Sequence, residues 1–159
     1  MKKRPFQLAR RHQRCLYVVA GGLFLSGAFW WFADRGWMPR RPDEDFIHTA
    51  KLWLLKFHGG AAMAFLILLG TLWPNHIRRA WHARQNHWSG VALLLWIAAL
   101  IGTGYGLYYF GDEAWREWTA RVHDVLGFAA ALVLVVHVWS GHRSARRADY
   151  LRHAARRNG

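Results

Sequence analysis

The sequence predicts an all-α protein that crosses a membrane four times, with both termini on the cytoplasmic side. Three observations carry this. Charge is confined to short blocks with long charge-poor apolar runs between them. Those runs are each about 20 residues long, the length a helix needs to cross ~30 Å of hydrocarbon. Most of the eleven tryptophans lie near the ends of the runs, as in an aromatic belt at the headgroup level. The net charge of +13 and the mean hydropathy of -0.04 describe a basic soluble protein only when the chain is averaged.

Residues 1–14 form a basic tail with Lys2, Lys3, Arg4, Arg10, Arg11 and Arg14 and no acid. The first span is expected over about 15–33. It opens at Cys15, the only cysteine, which excludes an intrachain disulfide. The run ends in bulky Phe29, Trp30, Trp31 and Phe32 without a small-residue cleavage site, so it reads as a retained span rather than a signal peptide. The acidic loop that follows carries Asp34, Asp43, Glu44, Asp45 and Trp37.

The second span, about 52–73, holds Lys56 and His58 as its only charged or titratable groups. The next loop, PNHIRRAWHARQNH, has three arginines and no acid. The third span, about 88–110, has no charged residue, and Asp112, Glu113 and Glu117 follow it. The fourth, about 122–139, contains His123, Asp124 and His137. Residues 140–159 form a second basic tail with six arginines against Asp149, either solvated or lying as a short helix on anionic lipid. The membrane domain is thus expected over 15–139.

Basic loops stay inside, so the tails and the second loop face the cytoplasm. The same division of charge into blocks at one membrane face argues against nucleic-acid binding, which calls for one continuous basic patch.

Of the ten histidines, six belong to tails and loops: His12, His48, His82, His87, His142 and His153. His58, His76, His123 and His137 belong to the second and fourth spans or their ends. Ionisable groups within a bilayer are costly and face the protein interior. His58 and His76 are 18 residues apart, five helical turns at ~100° per residue. His123 and His137 are 14 apart, about 40° short of four turns. Each pair therefore occupies one face, with His58 and His123 at the outer level and His76 and His137 at the inner. Two imidazoles at each of two levels is the ligand set of two haems with bis-histidine ligation. Gly59, Gly60 and Gly127 beside the outer histidines would give a porphyrin bare backbone to approach, as would Gly102, Gly104 and Gly106 of the third span. Lys56 and Arg121, each two residues outward of an outer histidine, are candidate partners for propionates.

The segments LKFHGGAAMAFLILLGTLWPNHIRRAW, TGYGLYYFGDEAWR and VHDVLGFAAALVLVVHVW resemble the small four-helix b-type cytochromes of bacterial membranes. That group includes cytochrome b561-like proteins and the haem subunits of hydrogenases and formate dehydrogenases. The resemblance implies one-electron transfer in the bacterial cytoplasmic membrane by an electron carrier or cytochrome subunit rather than a stand-alone enzyme. It implies haem b, two per chain or one, with a separate redox protein or a quinone as partner. His58 and His123 would then ligate the outer haem, and His76 and His137 the inner. The His58–His76 interval is longer than the family's usual 14, and Pro74 precedes His76, which makes His87 the alternative inner ligand. A cofactor-free scaffold or assembly protein of a respiratory complex and a small transporter are the readings from other classes.

Overall fold

A computed structural model describes residues 10–35, 44–82 and 87–157. Lys2, Lys3, Arg4, Trp37, Asp43 and Arg84 lie outside the described residues. The described chain is all-α: α1 (Arg10–Asp34), α2 (Glu44–Leu72), a π-helical turn (Trp73–Ile77), α3 (Arg78–His82), α4 (His87–Tyr109) and α5 (Glu113–Arg157). Four of these helices are long and apolar enough to cross a membrane, which makes the chain a multi-pass membrane protein compatible with a four-span bundle. Their flanks are apolar and open: Met63 is 65 %, Ile67 68 % and Leu132 70 % exposed. Such surface would be an aggregation hazard in water and is the ordinary exterior of a protein in lipid.

The chain divides into two units, residues 1–78 and 79–159, each built around an antiparallel helix pair. In the first, α1 and α2 run in opposite directions, tied by Asp34 to Lys51 (2.5 Å), Ser26 to His58 and His12 to Thr71. The Phe57 ring lies against Gly22, where a Cβ would stand 3.7 Å from Cε1. The Asp34–Lys51 ion pair is partly exposed and contributes little to stability. In the second, α4 and α5 are joined at their turn by Asp112. Its carboxylate accepts from the Trp115 amide at 2.9 Å and so caps the start of α5. The Phe110 ring folds back onto Gly106, which is buried. Deeper in the pair, the Trp96 indole donates to the Leu126 carbonyl at 2.9 Å.

Three helices exceed their expected spans. α2 begins at Glu44 rather than near residue 52. α1 begins at Arg10, so His12 belongs to a helix rather than to a tail. α5 continues through residues 140–157, expected as a separate tail. The π turn has a local cause. Pro74 has no amide hydrogen, its ring crowds the preceding turn, and the ladder widens until the Arg78 amide reaches the Trp73 carbonyl five residues back.

Candidate histidine sites on the two helix pairs

His58 enters the first helix pair from α2 and is half-buried against α1. Its Nδ1 lies 3.0 Å from the Leu23 carbonyl and 3.1 Å from Ser26 Oγ. A carbonyl only accepts, so Nδ1 carries the hydrogen and Nε2 carries the lone pair of the neutral ring. Ser26 is 4 % exposed, and its hydroxyl donates to the same Leu23 carbonyl at 3.0 Å. The next residue is Gly27, where an added Cβ would stand 2.9 Å from His58 Cε1. Only glycine lets the imidazole approach α1 this closely.

The second pair repeats the arrangement twice. His123 Nδ1 is 2.8 Å from Thr103 Oγ1. That hydroxyl faces the carbonyls of Ala99 (2.9 Å) and Leu100 (3.1 Å). With its one hydrogen spent within α4, Thr103 accepts from the imidazole. Gly104 follows, 3.5 Å from His123 Cε1 by the same measure. His137 Nδ1 is 3.2 Å from Ser89 Oγ, and Gly90 stands 3.8 Å from its Cε1. Three histidines on return helices thus each face a Ser-Gly or Thr-Gly dipeptide on the preceding helix. The interval between Ser89 and Thr103 equals that between His123 and His137, 14 residues. The register of the antiparallel pair therefore places both histidines opposite equivalent residues.

No family model, curated protein or solved structure matches this chain.

The other residues singled out from the sequence fall as follows. His76 lies on the π turn and is half-buried. Each residue of that wider turn advances less than the ~100° of an α-helix, which offsets His76 from the exact five-turn alignment with His58. His87 opens α4 with its ring centroid 4.0 Å from that of Trp81. Lys56 is exposed, its ammonium 4.9 Å from the Trp53 ring centre. Arg121 is exposed, paired with Glu117 at 2.5 Å one turn away, and its guanidinium is 5.8 Å from the Trp118 ring centre. Both cations therefore keep company with belt tryptophans. Gly59 is half-buried. Gly60, Gly102 and Gly127 have nothing within 4 Å of a built Cβ, so space beside these helices is open there.

His12, one of the six histidines assigned to tails and loops, makes a contact between the first two helices. Its Nε2 is 3.2 Å from Thr71 Oγ1, whose hydroxyl also bonds the Leu68 carbonyl at 2.6 Å. It precedes Ser26 by 14 residues, the interval found twice in the second pair. This repeat was the available signal, hidden because Arg10, Arg11 and Arg14 make the segment read as a tail.

Among the described residues no group of three or more His, Cys, Asp or Glu side chains is placed to hold a bare metal ion. Haem iron asks less of the protein, two axial imidazoles. An imidazole that carries its hydrogen on Nδ1, donated to a carbonyl or hydroxyl, has the tautomer and fixed ring orientation of an Nε2 ligand. His58 and His123 fit that role, and His137 has a hydroxyl at the same nitrogen.

Proposed function

We propose that this protein is a membrane-embedded b-type cytochrome, with His58, His123 and His137 among its axial ligands. One observation carries the reading: three membrane histidines share a single supporting arrangement, a hydroxyl at Nδ1 and a glycine beside Cε1. Three unrelated, merely satisfied histidines would have no reason to share it.

When bound, haem supplies the one-electron chemistry. The chain's own residues hold and orient. Ser26 with the Leu23 carbonyl, and Thr103, fix the ring planes and tautomers of His58 and His123, and Ser89 holds the His137 ring at Nδ1. Gly27, Gly104 and Gly90 admit the rings to the helix surface. For a second ligand the first unit offers His76 and His12, and we place His12 first, 14 residues from Ser26. Thr71, whose hydrogen goes to the Leu68 carbonyl, holds His12 at Nε2, so His12 would ligate through Nδ1. The arginine distribution supports termini on the cytoplasmic side, and the resemblance of the sequence to bacterial b-type cytochromes supports a bacterial cytoplasmic membrane. The electron would be exchanged with a separate redox protein or with a quinone.

The test is a dithionite-reduced minus oxidised absorbance spectrum of detergent-purified protein expressed with ample haem, with haem counted per chain. Two b-type haems support the four-ligand reading, and one confines it to a single level. Colourless protein would sink the proposal in favour of a scaffold or transporter.

A further inference from the structure

Helix α5 is longer than any membrane requires. Its 45 residues span about 68 Å at 1.5 Å per residue, against ~30 Å of hydrocarbon. Trp139 marks where it leaves the apolar region: its indole is exposed, and the Arg143 guanidinium lies 4.2 Å from its ring centre. Beyond Trp139 the helix runs on for roughly 27 Å to Arg157. His142, Arg143, Arg146, Arg147, Tyr150 and His153 are exposed along it. Over residues 140–159 the sequence has six arginines and a single acid, Asp149.

Two surfaces could attract such an arm, anionic headgroups or an acidic protein. A helix that binds lipid as an amphipathic segment lies in the plane of the membrane. For that, the arm would have to bend sharply where it leaves the span. Sharp bends arise at proline, at Gly/Ser pairs or at π turns. The only such residues here are Ser140 and Gly141, and the α-helix passes through both without a break. The arm therefore continues the axis of the span and carries its arginines away from the headgroups. Arginine is also the cation suited to paired contacts with carboxylates.

We infer that residues 142–157 of α5 form a docking arm for an acidic face of a partner protein on the side of the membrane that holds the termini. The inference does not depend on haem binding.

The experiment uses full-length protein in nanodiscs, with Cys15→Ser as background so that an introduced cysteine is the only one. A spin label at Tyr150→Cys is tested for relaxation by oxygen, which enters lipid, and by a nickel chelate, which stays in water. The expected result is a water-exposed label in discs of phosphatidylcholine alone and in discs with added phosphatidylglycerol. Poly-glutamate serves as the acidic probe. It is expected to bind in phosphatidylcholine discs and to weaken as salt rises. Arg143→Gln, Arg146→Gln and Arg147→Gln combined should weaken it at least tenfold, and the three lysine replacements should fall between parent and glutamine variant. Equal helicity by circular dichroism shows that the variants remain folded. A label shielded in the headgroups of phosphatidylglycerol discs would overturn the inference in favour of lipid. Unchanged poly-glutamate binding in the glutamine variant would overturn it outright.

Discussion

Thr103 Oγ1 lies 2.8 Å from His123 Nδ1 while its own hydrogen is directed at the carbonyls of Ala99 and Leu100, so in this pair the imidazole donates. An uncharged residue thereby sets which nitrogen of His123 carries the lone pair. Thr103→Val keeps the shape and removes the acceptor. Leaving a part-buried donor unsatisfied costs about 1–3 kcal/mol, seen as a lower midpoint of thermal unfolding in detergent. On the proposed reading, loss of such a supporting bond also weakens cofactor retention by roughly 10–100-fold. Thr103→Ser should restore both; a valine variant equal to the parent in both would show that the bond is idle.

Gly27 and Gly21 form a matched pair for testing the approach of His58 to α1. A Cβ at Gly27 meets the imidazole at 2.9 Å, whereas one at Gly21 meets nothing within 4 Å. Gly27→Ala is expected to displace His58, at a cost on the order of 1–3 kcal/mol, and to remove one level of haem signal. Gly21→Ala should be neutral or slightly stabilising. Gly104→Ala, with its contact at an ordinary 3.5 Å, should fall between them. The ordering of the three by unfolding midpoint and haem content is the check.

The inner level separates His12 from His76. His12→Ala should halve the haem content and leave the outer signal intact. His76→Ala should retain both signals, because a π turn shifts residue 76 from the five-turn alignment with His58 that an unbroken α-helix would give. The reverse pattern would return His76 to the ligand set and leave His12 a packing residue held by Thr71.

At the turn between α4 and α5, Gly106 is filled by the ring of Phe110, 2.8 Å from where a Cβ would stand. Gly106→Ala alone should lower the unfolding midpoint. Combined with Phe110→Ala it should be largely tolerated, since the smaller side chain vacates the space. Measured as a double-mutant cycle, the coupling is expected at about 0.5–3 kcal/mol. Additive effects would mean that the contact is not maintained.

The apolar runs were legible because the bilayer imposes a length on a helix and leaves little choice of composition. The 14-residue spacing of His123 and His137 was legible for the same reason, as both lie on one uninterrupted helix. Their partners were not. Ser26 and Thr103 are uncharged members of apolar runs, and they meet histidines 32 and 20 positions away, across a helix pair whose register no local pattern records. Pro74 announced a disturbance in α2 but not that the ladder would answer it with a π turn. The arm of α5 read as a tail because its charges were weighed before its propensity. RSARRADYLRHAARR is rich in alanine, arginine and leucine, among the best helix formers, and has neither glycine nor proline.

The four turns between His123 and His137 also have an electrical meaning. Their ~21 Å is about two-thirds of the ~30 Å hydrocarbon. A whole charge crossing the bilayer exchanges ~2.3 kcal/mol with each 100 mV of transmembrane potential. On the proposed reading, an electron passed between the two levels would exchange about two-thirds of that. The resting voltage of the cell would then help to decide which way electrons run through this protein, with no change in the residues that hold them.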